Sequence, residues 1–284
     1  MANHESTGLD QHQKAFIKLI RENARRHRVH EVFRDFCEMA ALAFSNVCDL
    51  AQRDAREARY LEIVKRYEKD EVLRFRAMLD CIVESLEGGF HDCLGQLFMA
   101  LELGDHWKGQ FFTPYPVAYL MAKIGGVGAR VEIEGKGFMT LMEPACGAGC
   151  MVIAAAEAMR DEGINYQQRL HVTAIDIDQT AAHMAYIQLT LLHIPAIVVQ
   201  GNALWPDKSW STWVTLAHVM GGWDRKLAKA DAAQASAEET PAAAAPQAPE
   251  HVDELQPADV PATVDLAKVR AEVIAARVEQ LDLF

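Results

Sequence analysis

Leu141-Met142-Glu143-Pro144-Ala145-Cys146-Gly147-Ala148-Gly149-Cys150 is the stretch on which the fold turns. An apolar run, Phe138 to Met142, ends in an acid and a proline, and two glycines lead into the helix formers Met151 to Arg160. The pattern predicts a strand, a tight turn and a helix. Glycine at 147 and 149 removes side chains that would hold a ligand off the backbone, and the helix start behind them presents unpaired N–H groups. Glu143 at the strand end disfavours a phosphate there and favours a ligand carrying hydroxyl or ammonium donors. A Gly-x-Gly turn alone is also a common structural turn, so its flanks decide.

Downstream, His171-Val172-Thr173-Ala174-Ile175-Asp176-Ile177-Asp178 reads as a second strand ending in acids. A helix from Thr180 to Leu192 follows, then a strand Ala196 to Gln200 and a turn, Gly201-Asn202-Ala203-Leu204. Strand, helix, strand, helix, strand is the first half of a parallel, doubly wound sheet. An acid ending the second strand is where such sheets hold a ribose. Its distance from the glycines exceeds the usual spacing of about 20 residues, which requires a long connection between them. Trp213 to Val219 reads as a fourth strand.

Upstream, residues 10 to 103 contain no proline and read as helices. Phe16, Ile17, Leu19 and Ile20 mark one, Val32 to Asn46 a second, and Ala51 to Val83 a third, long and periodic. Gly88-Gly89 ends it, and Phe90 to Glu102 is a short fourth. Arg21, Arg25, Arg26 and Arg28 form a cluster that is either a phosphate contact or a solvated helix face. Gln110-Phe111-Phe112-Thr113-Pro114 precedes a helix from Val117 to Ile124, with Thr113 as its cap. Gly125-Gly126-Val127-Gly128 reads as a linker.

The chain has 284 residues, half of them hydrophobic, enough for one sizeable core. The polar N-terminus and the lack of any membrane-length apolar run lead to the expectation of a cytoplasmic protein with no membrane partner. Six scattered cysteines without a C-x-x-C pair point to free thiols and no metal. The net charge of −12 neither points to nucleic acid nor rules it out. Twelve acids against six bases beyond Gly222 carry half of that excess. Residues 228 to 262, rich in Ala, Pro, Glu and Asp, have the composition of a disordered linker. Thr263 to Leu281 is amphipathic, with Leu266, Val269, Val273, Ile274 and Val278 on one side.

In this order, Gln110-Phe111-Phe112-Thr113-Pro114, Glu143 to Gly149, Ala174-Ile175-Asp176-Ile177-Asp178 and Gly201-Asn202-Ala203-Leu204 resemble the S-adenosyl-L-methionine half of N6-adenine DNA methyltransferases. The modification subunit of type I restriction–modification systems is the nearest likeness, strong over 105 to 205 and looser over the helices before it. The resemblance implies an α/β protein with an N-terminal helical domain (1–104) and a partial Rossmann-like methyltransferase domain (105–223), to which composition and periodicity add a disordered acidic linker (224–262) and a C-terminal helix with tail (263–284). It implies S-adenosyl-L-methionine as cofactor. Phe112, Thr113 and Pro114 would then close over its methionine end, and Glu143 would take the ammonium. Ala145, Cys146, Gly147 and Gly149 would line the turn, Asp176 accept the ribose hydroxyls, Ile177 pack on the adenine and Asn202 accept from its amino group.

That family also needs an Asn/Asp/Ser-Pro-Pro-Tyr/Phe motif to aim the target amino group and stack the flipped base. No Pro-Pro pair occurs in this sequence, and Val214 to Trp223 stands in the corresponding place. His218 and Trp223 are the polar and aromatic residues there that would have to substitute. No catalytic residue is therefore assigned. The expected partners are DNA and a second subunit completing the enzyme. Gln280-Leu281-Asp282-Leu283-Phe284 resembles the pentapeptide by which bacterial proteins dock on the sliding clamp, with Gln280, Leu281, Leu283 and Phe284 as contacts. The alternative reading is a non-catalytic module tethered to DNA or the clamp, modulating methylation, restriction or replication.

Overall fold

Strands β1 (Met139–Glu143), β2 (Leu170–Asp176) and β3 (Ala196–Gly201) are built from the three apolar runs and pair in parallel, side by side, in that order. The computed structural model describes residues 8–103, 112–126, 129–205 and 208–238. Described residues up to Trp223 form one compact unit and those from Asp224 a second.

The fourth strand, β4 (Ser209–Val214), begins and ends earlier than its sequence suggested and pairs antiparallel with β3. The connection from Gly201 to Ser209 is too short for a parallel crossover, which needs about a dozen residues. Thr215 ends the strand. Its hydroxyl donates to the Ile194 carbonyl (2.9 Å) and accepts the Ala196 N–H (2.9 Å), and Leu216 to Met220 then turn into a helix.

The helices before the sheet are α1 (Gln11–Asn23), α2 (Val29–Cys48), α3 (Arg53–Val64), α4 (Lys69–Glu87) and α5 (Cys93–Ala100). The long third helix expected from Ala51 to Val83 is two helices. Tyr67 turns inward at the break, donating to Asp35 Oδ2 (2.8 Å) with its ring edge-on to Phe75. Glu71 then accepts the Glu68 N–H (2.8 Å), a start signal for α4.

Next come α6 (Tyr115–Gly125), α7 (Ala129–Lys136), α8 (Cys150–Asp161), α9 (Tyr166–Arg169), α10 (Gln179–Leu191), α11 (Leu216–Met220) and α12 (Trp223–Glu238). Helix α7 was not foreseen, and α8 followed by the short α9 makes the long connection between the glycine turn and β2. Helix α6 starts at Tyr115, ahead of the expected Val117, and its N-cap is Pro114 and not Thr113. Proline in the first turn loses no hydrogen bond there. The first part of the expected linker is helical, as α12. Ala228, Ala230, Ala232, Ala233, Ala235 and Ala237 favour helix, and no proline intervenes before Pro241. The rest of the linker, the C-terminal helix and the Gln280 to Phe284 tail lie outside the described residues. None of the six cysteines forms a disulfide, and among the described residues no helix is long and apolar enough to cross a membrane.

Helices α8 and α10 pack on one face of the sheet through Val152, Ile153, Ala182, Ala185 and Leu189 against Val172, Ala174, Ala196 and Val198. Behind α10 lie α2 and α5, so the helical block and the sheet share one hydrophobic core. Arg56 of α3 fastens the two. Its guanidinium bonds Asp49 (2.9 Å), Ser45 and the Thr212 carbonyl (2.7 Å), and lies 4.3 Å over the Trp213 ring. Arg56→Ala leaves Asp49 nearly buried without its cation and is expected to cost about 3 kcal/mol in urea unfolding.

His183 of α10 is 1% exposed and meets the Trp213 ring edge-on at 4.8 Å. Burial disfavours its cation and lowers its pKa from 6.5 to about 4, against the opposing pull of Glu38 and Asp178. Unfolding therefore takes up a proton between those values, and stability falls as pH drops through that window. The full effect is roughly 3 kcal/mol. Unfolding titrations of wild type and His183→Leu should diverge in slope there and run parallel above pH 7.

Candidate functional site

Glu143 and Asp176 close two adjacent parallel strands, so both carboxylates stand at the same end of the sheet. The turn between β1 and α8 lies against them. The Cys146 N–H extends the pairing with β2 by donating to the Ile175 carbonyl (2.8 Å), and the Gly149 N–H returns to the Cys146 carbonyl (2.8 Å). Gly147 and Gly149 both have positive φ, +53° and +95°, where side chains are strained. A Cβ on Gly147 would lie 2.8 Å from the Phe112 ring, so this glycine admits the ring across the turn. Phe112 in turn packs on Phe98 of α5, ring centres 5.1 Å apart.

Asp176 brackets the site. One oxygen accepts the Gly147 N–H and the other the Asp178 N–H, both at 2.8 Å. Asp178 caps α10 by accepting the Ala181 N–H (2.9 Å). Burial raises the Asp176 pKa, and the backbone N–H groups of Asp178 and Gly147 oppose that rise. Each carboxylate oxygen keeps a lone-pair direction beyond the bond it makes. Glu143 accepts the Ala145 N–H (3.2 Å) and Asn202 Oδ1 the Leu204 N–H (3.0 Å), both local turn contacts. Ile177 is 61% exposed beside them.

The other expected residues divide. Thr113 is exposed, and its carbonyl accepts the Cys150 thiol (3.3 Å), which ties the start of α6 to the start of α8. Tyr115 and Tyr119 continue that tie through Glu157 and Asp161, each at 2.6 Å. Gln110 and Phe111 lie outside the described residues. Cys146 is buried, with its thiol pKa pushed well up by desolvation and the nearby Asp176 and Glu143, which suits a turn residue and no nucleophile. His218 and Trp223 do not substitute for a base-aiming pair. Both are fully buried, His218 bonded to His171 (2.9 Å) and Trp223 edge-on to Phe138. No flipped base reaches groups enclosed in this way.

Gln188 escaped the sequence reading. It is fully buried on α10 and donates to the Ala148 carbonyl (2.8 Å), behind the turn. Its signal is an amide within the apolar run Met184 to Leu192. Around the turn, two carboxylates and an amide oxygen are acceptors with capacity to spare, and the start of α8, which has no side-chain cap, offers backbone N–H groups. The acceptors fit a ligand bearing ammonium and hydroxyl donors, and the N–H groups fit one that also carries a carboxylate, the chemistry of S-adenosylmethionine.

Residues 99–220 match the family model described as N-6 DNA Methylase. Among solved structures, the chain is similar to a protein described as a class I S-adenosylmethionine-dependent methyltransferase from Listeria monocytogenes, at 12% identity and TM-score 0.39, over 69% of this chain and 55% of that one. It is also similar to the type I restriction-modification methyltransferase subunit from Streptococcus thermophilus, at 21% identity and TM-score 0.34, over 69% of this chain and 40% of that one. The chain thus spans about half the length of the structures it matches. No curated protein matches it.

Gly147→Ala should destabilise the protein by about 2 kcal/mol, from positive φ and the clash with Phe112. Phe112→Ala in the same chain removes the clash, so the double variant should lose less in urea unfolding than the two single losses added together.

Proposed function

We propose that this chain, matched over 99–220 by the N-6 DNA Methylase model, binds S-adenosyl-L-methionine and serves in N6-adenine methylation of DNA. The observation that carries this reading is the coincidence of that match with the acceptor set at the strand ends. In this reading Asp176 takes the ribose hydroxyls, and Glu143 the ammonium. Ala145, Cys146, Gly147 and Gly149 offer the backbone of the turn, and Thr113 and Pro114 border the methionine end with Phe112. Ile177 covers the adenine, and Asn202 accepts from its amino group. When bound, the cofactor supplies an electrophilic methyl group for an adenine amino nitrogen, which releases a proton.

What the chain does not supply is the acceptor side. Residues 1–284 hold no Pro-Pro pair, and His218 and Trp223 are buried, so in this reading the group that orients the adenine lies outside these residues, as on a second subunit. These residues are then the donor-holding part of a methyltransferase. A second reading rests on Gln280-Leu281-Asp282-Leu283-Phe284: a non-catalytic module recruited to the sliding clamp. It predicts that deleting Leu283 and Phe284 abolishes clamp binding.

Calorimetry with S-adenosylmethionine, with and without duplex DNA, tests the first reading. Binding is expected for wild type and its loss, by a hundredfold or so, for Asp176→Ala, which removes hydrogen bonds to a charged group. No heat with the wild-type chain would refute it. Because burial raises the Asp176 pKa, affinity should also begin to fall on acidification before an ordinary carboxylate would protonate.

A further inference from the structure

We infer that Gln188, with Asp92 behind it, is a positioning residue that holds the cofactor turn from the rear and thereby sets the affinity of the site. This inference rests on the cofactor-binding reading above and adds to it the group that keeps the turn in shape.

The geometry around Gln188 is closed. Its side-chain nitrogen donates to Ala148 O and to Asp92 Oδ1, both at 2.8 Å, and its oxygen accepts the Leu94 N–H at 3.0 Å. Gln188 is fully buried and Asp92 is 3% exposed. The amide orientation is fixed by its surroundings. Reversed, the oxygen would face a carboxylate and a carbonyl while the NH2 group faced an N–H.

Asp92 is anchored in its own right. It caps α5 by accepting the Gly95 N–H (2.9 Å), and a Cβ on Gly95 would collide with the carboxylate. Two helices, α5 and α10, therefore converge on one carbonyl of the turn.

The need for such a hold follows from the front of the site. Gly147 donates to Asp176, the group assigned to the ribose. A ligand that draws on Asp176 competes for the carboxylate that also steadies the turn. Gln188 bonds the next residue from the opposite side and touches no ligand position. It therefore keeps Gly147 and Gly149 in their positive-φ geometry when Asp176 is engaged. Preorganisation of this kind lowers the ordering cost of binding. It also makes the helical block a part of the site, since the hold ends on α5.

The test uses the full chain with Gln188→Met, which keeps length and volume, and Gln188→Asn, which keeps the amide but withdraws it from Ala148. S-adenosylhomocysteine binding is measured by calorimetry, with amide hydrogen exchange over Gly147 to Met151 and at Leu94. Both variants should bind about tenfold more weakly, the loss expected for one buried hydrogen bond. Exchange should quicken at the turn and at Leu94, with β2 and β3 as in wild type. Unchanged affinity in a folded variant overturns the inference, and so does unchanged exchange at Gly147 and Gly149. If Gln188→Met does not fold, Gln188→Asn carries the same comparison. If wild type itself does not bind, the cofactor reading fails, and the exchange rates still decide whether Gln188 holds the turn.

Discussion

The burial of α10 governs this structure. Every residue from Ala181 to Thr190 is buried, so the helix has no face to give to water. A helix apolar all round has to be enclosed, and the sheet covers only one side of it. The helices α2 and α5 supply the rest through Phe36, Ala40, Leu94 and Leu97, members of the same core. The N-terminal helices are thus required by α10, and the two halves of the sequence complete a single interior.

Enclosure places strict terms on the polar groups that α10 carries. Gln188 meets them by hydrogen bonding, with its oxygen and nitrogen both occupied. His183 meets them by staying neutral, since neither ring nitrogen has a hydrogen-bond partner and a cation there would cost far more. One residue exports order to the glycine turn, and the other makes the same interior sensitive to acid. Both effects come from one helix because burial turns each polar side chain into a strong local constraint.

The sequence exposed those features whose chemistry is local. Apolar runs ending in acids became β1 and β2, and the glycines became a turn with positive φ, because strand period and glycine conformation depend on few neighbours. What escaped depended on distant partners. The break between α3 and α4 lies where Tyr67 reaches Asp35, 32 residues away, within a pattern that otherwise stays helical. The role of Gln188 depends on Asp92, 96 residues away. The direction of β4 was hidden for another reason: Trp213 and Val214 are apolar enough for either sense, and only the length of the connection decides. Composition misled at the start of the linker, where alanine content outweighed the acidic and polar residues until proline intervened.

A methyl donor and a methyl acceptor make different demands on a protein, and in the proposed reading this chain meets the first. Holding a donor with ammonium and hydroxyl groups requires acceptors fixed at the ends of adjacent strands, which Glu143 and Asp176 provide. Aiming an amino nitrogen requires a polar acceptor and an open ring face on the far side of the methyl group. The residues in the place for that task have been drawn into the core instead. His218 pairs with His171, and Trp223 packs on Phe138, so they stabilise the underside of β2. The sheet tells the same story: among the described residues β1 pairs only with β2, and the Thr140 N–H on its outer edge is met by Glu132 of α7 at 3.2 Å. The strand that bears Glu143 is therefore an edge of the described sheet.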